Sequence, residues 1–120
     1  MMMLINVMRG LGRVALTSAL MLTLAACGKS AAQQHQEDVA TLTSQGEKYV
    51  KEKVLEPAAA QFRNQFIGKG GAPCGEVNTK DAFGGYIGYQ RYIAVARDLT
   101  LLAQDVAPEE FEQNWRQLCR

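Results

Sequence analysis

Few side chains in this chain are equipped for chemistry, and their positions narrow what it does. Its single histidine, His35, lies in the polar stretch from Gly28 to Gln36, where solvation is the simplest reading. Glu76 and Asp81 are the one carboxylate pair worth considering for acid–base work, at a separation that the loop between them would set. Arg63, Asn64, Glu76, Asn78 and Arg91 form a set of polar residues that can converge if a helix crosses a hairpin. On an alternating strand Cys74, Glu76 and Asn78 share a face, so if Cys74 faces the C-terminal helix, Glu76 is carried toward the core side and needs a cation, Arg63 or Arg91. Such a set is either a hydrogen-bonded network fixing helix to sheet or a binding surface. Gly68-Lys69 is not part of a phosphate loop, because Arg63 stands where that motif needs Gly and Gly70 where it needs Ser or Thr. The reading is a non-catalytic domain with no cofactor and no metal site.

The N-terminus has its own logic. Arg9 and Arg13 precede an apolar run from Val14 to Ala26, the order of an export signal. About 13 residues span roughly 20 Å as a helix, short of the ~30 Å hydrocarbon core, although a retained membrane helix is the alternative. Translation starts at Met1 or at Met8, the latter giving the tidier basic segment. The run ends in Leu24-Ala25-Ala26-Cys27-Gly28, which resembles the bacterial lipobox. That resemblance implies cleavage before Cys27, diacylation of its thiol, and an anchor in the envelope. Gly28 rather than Asp after the cysteine implies the outer membrane, facing the periplasm. With Cys27 lipidated, Cys74 and Cys119 are left to pair in an oxidising compartment. The sharper alternative, a nucleophile or metal ligand, finds no histidine beside either cysteine. Arg9 and Arg13 lie before Cys27, so 11 basic and 12 acidic residues follow it. That balance offers no basic excess for nucleic acid.

The elements that must position these residues follow from periodicity and punctuation. Residues 1–26 are read as the signal, 27–36 as lipidated cysteine and flexible tether, and 37–120 as one domain. Val39, Leu42, Gly46, Tyr49, Val50 and Val54 recur at helical spacing from about Asp38. Pro57 breaks that run and suits the first turn of a second helix, Pro57 to Gln65. Strands are predicted over Cys74 to Thr79, Tyr86 to Ala96 and Leu99 to Ala103, rich in β-branched and aromatic residues. Pro108 opens a last helix, with Glu109, Glu110 and Glu112 at its positive end and Arg116 and Arg120 at its negative end. The predicted class is α+β, ordered α-α-β-β-β-α, with the helices on one face of a short antiparallel sheet and one disulfide.

Three segments carry a further resemblance. Pro57-Ala58-Ala59-Ala60-Gln61-Phe62-Arg63-Asn64, Cys74-Gly75-Glu76-Val77-Asn78-Thr79-Lys80 and Phe83-Gly84-Gly85-Tyr86-Ile87-Gly88-Tyr89 resemble an uncharacterised family of small exported proteobacterial proteins. The chain departs from that pattern at Ala58 and Ala59, in place of Asp and Ser, and at Asp81, in place of Asn. Tyr89 and Tyr92 also stand where Phe is usual. The resemblance implies export and a fold unit, with no reaction attached. The functional expectation is an anchored envelope lipoprotein that binds or supports a protein or glycan. The alternative is a small inhibitor or immunity-type lipoprotein that plugs an enzyme. An inhibitor should present Lys80 to Gly85 as a rigid exposed loop, whereas a structural module should pack that loop down.

Overall fold

A computed structural model describes residues 28–120. The expected signal and Cys27 lie outside the described residues. Two units divide the chain, residues 1–34 and 35–120. In the first, the described residues Gly28 to Gln34 contain the start of helix α1, Ala31–Lys51. Ser30 Oγ accepts the Gln33 amide at 3.3 Å, and Gln33 Oε1 accepts the Ser30 amide at 3.2 Å. This reciprocal capping box satisfies two donors that the first turn leaves open. The helix therefore starts at Ala31 and not near Asp38, and residues 31–36, expected as flexible tether, are helical.

The second unit is built on a four-stranded antiparallel meander, in spatial order β1-β2-β3-β4. Its strands are β1 (Gln61–Ile67), β2 (Pro73–Lys80), β3 (Tyr86–Ala96) and β4 (Leu99–Leu102), followed by helix α2 (Pro108–Leu118). The predicted second helix is absent. Pro57–Ala59 makes one short 3-10 turn, and β1 follows it at once. The reason lies in a bulge. Arg63 pairs with Glu76 and Phe66 with Cys74, so β1 spends two residues, Asn64 and Gln65, opposite Gly75 alone. The extra residue inverts the alternation. Phe62 meets Tyr92 edge-on at 5.7 Å and Phe66 meets Trp115 edge-on at 5.8 Å. Their four-residue spacing is thus a strand that changes phase, although it mimics a helix face.

The two helices do not share a face of the sheet. Phe111, Trp115 and Cys119 of α2 and its end are buried with Ala72, Cys74 and Ile93. Val50 of α1 is buried with Val77, Tyr92, Ala94 and Leu102. Successive residues of β3, Tyr92, Ile93 and Ala94, belong alternately to these two clusters. Strand side chains alternate sides, so the helices cover opposite faces and the sheet is the middle layer. Double coverage explains why β3 reads there as a continuous apolar run. A disulfide joins Cys74 to Cys119, 45 residues apart, tying β2 to the end of α2.

Contacts along β2 fix the direction of α1. A Cβ on Gly46 would lie 2.5 Å from Pro73 Cβ, so only glycine lets the helix approach the start of β2 this closely. Farther along, Val50 packs with Val77, Glu56 pairs with Lys80 at 3.7 Å, and the Tyr86 hydroxyl donates to the Ala59 carbonyl at 2.9 Å. Helix and following turn therefore accompany β2 from its first residue to its last, toward the β2–β3 hairpin. The His35 end of the helix points away from that hairpin.

Candidate functional site

The bulge in β1 builds the centre of the polar cluster. Asn64 takes a left-handed backbone, φ 51°, a conformation that asparagine tolerates better than most side chains. From there its Nδ2 donates to Glu76 Oε1 at 2.6 Å, while Arg63 Nη2 donates to Glu76 Oε2 at 3.2 Å. The Arg63 guanidinium also lies over the Tyr89 ring, 3.7 Å from its centroid. These hydrogen bonds, first from Asn64 and then from Arg63, hold the Glu76 carboxyl below the usual glutamate range. The side chains of Arg63 and Glu76 are 50% and 25% exposed, so the inward, buried Glu76 expected from alternation is not found. Of the β2 residues on that face, Cys74 is buried against α2 and Glu76 is not part of that cluster.

The other predicted members go elsewhere. Arg91 faces Glu76 in the strand register, but its guanidinium pairs with Glu112 and lies 5.0 Å from the Trp115 ring centroid and 5.1 Å from that of Phe111. Arg91 thus clamps α2 to the sheet, and its hydrogen bond holds the Glu112 carboxyl below its usual range. Asn78 Nδ2 donates to Gln61 Oε1 at 3.4 Å, and Asn78 Oδ1 accepts the Gly88 amide at 3.0 Å. Gly88 sits at φ 94° in a second bulge, between the pairs Asn78↔Tyr89 and Lys80↔Tyr86. Asn78 is therefore a brace for the base of the hairpin. The five residues form three local arrangements, not one convergent pocket.

Glu76 and Asp81 do not act together either, for Asp81 is occupied inside its own loop. Its Oδ1 accepts the amides of Phe83 at 2.9 Å and Gly85 at 3.1 Å. Its main chain receives Gly84 N at 3.1 Å and donates to the Gly85 carbonyl at 2.9 Å. The loop is thereby held rigid while it projects. Phe83 at its tip is 97% exposed, and Tyr86 and Ile87 are 45% and 43% exposed. Sequence reasoning singled out this loop but not Asp81 as its organiser. The signal was present in an Asp followed two residues later by the turn and then by Gly-Gly. Glu112 and Tyr89 were missed because nothing local marks a contact made across 21 or 26 residues.

Among the described residues, no group of three or more His, Cys, Asp and Glu could hold a metal ion. No helix among them is long and apolar enough to cross a membrane. No buried side-chain nitrogen or oxygen among them lacks a hydrogen-bond partner. Comparison with family models, curated proteins and solved structures finds no match to this chain.

Proposed function

We propose that this protein is a lipid-anchored envelope lipoprotein, held through Cys27 in the outer membrane, whose domain is a non-catalytic binding module. The observation that carries the reading is the rigid, projecting β2–β3 hairpin with Phe83 almost wholly in water. A domain that merely fills space has no use for an exposed phenylalanine on a braced loop. Single exposed apolar residues are common. Here, however, three large ones fall within five residues on one projecting element. The same loop favours a second reading, an inhibitor or immunity-type lipoprotein, of which the hairpin is the inserted part. The resemblance to small exported proteins agrees with either.

Two measurements test the proposal. Fatty-acid labelling should mark the mature protein and fail for Cys27→Ser, and a mature chain with an unmodified Cys27 thiol would refute the anchor. Short amine-reactive crosslinking of the tagged full-length protein in intact envelopes should trap a discrete larger species that Phe83→Ser depletes. A chain that remains uncrosslinked there is no binding module.

A further inference from the structure

We infer that the hairpin tip is a preformed plug for an apolar recess on another protein, with Phe83 as anchor and Asp81 as the residue that holds it ready. The inference rests on the binding-module reading and specifies its partner. From Ala82 to Gly88 the chain is exposed and carries no charged side chain. The charges at its base are engaged, Lys80 with Glu56 at 3.7 Å and Asp81 with the amides of Phe83 and Gly85. The amides of Phe83, Gly84 and Gly85 are all satisfied within the loop. Burying a loop in a dry site normally strands such donors, which is costly. Here the tip can lose its water without leaving those amides unpaired. Its shape is also fixed before binding, which removes the ordering cost that a flexible loop carries.

The same features define the partner's chemistry. A surface with strong charge offers this tip nothing to pair with, so the complementary surface is apolar. A second copy does not supply it. A phenylalanine covers about 150–250 Å², and two convex tips meeting bury a few hundred Å², far below the ~1,200 Å² of a stable interface. The receiving surface must be concave and must wrap the tip. A bilayer is also apolar, but surface binding to it scales with buried apolar area plus attraction to anionic headgroups, and this tip offers one fully exposed ring and no basic side chain. That leaves a protein recess wide enough for one aromatic ring. Asp81 is a positioning residue here, acting through its Oδ1 on the backbone. What the loop uses is an acceptor at the Oδ1 position, so an amide oxygen there should hold the same shape.

The test places the photo-crosslinking residue benzoylphenylalanine at Ala82 in the full-length protein, with a control at Gln113 on α2, and irradiates intact envelopes. Mass spectrometry should find the Ala82 adduct on a polypeptide other than this chain, at residues lining an apolar recess, and the Gln113 control should give none. Phe83→Ala and Asp81→Ala should each lower the adduct yield by about tenfold or more. Asp81→Asn, which keeps the Oδ1 acceptor, should retain it. Unchanged melting temperatures for the three variants would show that folding is not what is being read. Adducts on phospholipid, glycan or a second copy of this chain would overturn the inference while leaving a binding module in place. Crosslinks from Gln113 alone would also leave a binding module but move its surface away from the hairpin. Absence of any adduct at either position would overturn both.

Discussion

Glu76 shows how far alternation alone carries a prediction. Its side of β2 and its need for a cation follow from Cys74, Glu76 and Asn78 sharing a face. Its exposure does not, because that depends on which residues of the face a helix covers, and Cys74 is packed against α2 while Glu76 is not. The lowered Glu76 pKa sets a sign for acid stability. The folded carboxylate keeps its charge to lower pH than the unfolded one, so between the two values the unfolded chain binds more protons. The contribution from Asn64 and Arg63 is thus complete above the unfolded value and is lost as pH falls through the folded one. Glu112 behaves the same way through Arg91. The urea midpoint should therefore fall below about pH 5, and the double variant Glu76→Gln/Glu112→Gln should lose less between about pH 7 and pH 3 than the natural sequence. A second residue-scale prediction concerns Gly46. Alanine is the better helix former by about 1 kcal/mol, but its Cβ would press on Pro73, and overpacking costs about 1–3 kcal/mol. Gly46→Ala should consequently lower the unfolding free energy, as measured in urea.

At the scale of elements, β3 and α2 were legible and β1 was not. Strand β3 begins and ends where its tyrosines and β-branched residues predict, and α2 opens at Pro108 as predicted. These segments carry long, unbroken signals. Strand β1 fails because its bulge resets the period halfway along, and because Pro57-Ala58-Ala59-Ala60 reads as a helix start when only local preference is weighed. Single-face packing failed for a related reason. β-branched and aromatic content marks a strand without saying how many of its sides are covered. Only a run of consecutive buried residues such as Tyr92-Ile93-Ala94 signals coverage on both. The bulge can be tested separately from the cluster. Asn64→Ala and Asn64→Gly both lose the hydrogen bond to Glu76, and only alanine opposes the left-handed backbone. The alanine variant should be the less stable of the two by about 0.5–1 kcal/mol in chemical denaturation.

For the molecule as a whole, the disulfide was legible by cysteine parity, and its consequence is larger than one more contact. Closing about 45 residues restricts the unfolded chain by roughly 4 kcal/mol in the chain-entropy description, a large share of what a small domain holds. The variant Cys74→Ala/Cys119→Ala should lose stability of that order in urea titration. The bond also divides the polypeptide topologically. Residues 74–119 form a covalent ring holding β2, β3, β4 and α2, whereas α1 and β1 hang from it by a single connection at Pro73. Two exposed trypsin sites fall on different sides of that division, Lys69 outside the ring and Arg97 within it. A nick at Arg97 opens the ring without releasing anything, so on non-reducing gels the product migrates near full length until thiol is added. A nick at Lys69 frees the helix and first strand with or without thiol, once denaturant strips them from the sheet. Limited proteolysis read both ways should thus sort the molecule into a closed loop and a detachable arm.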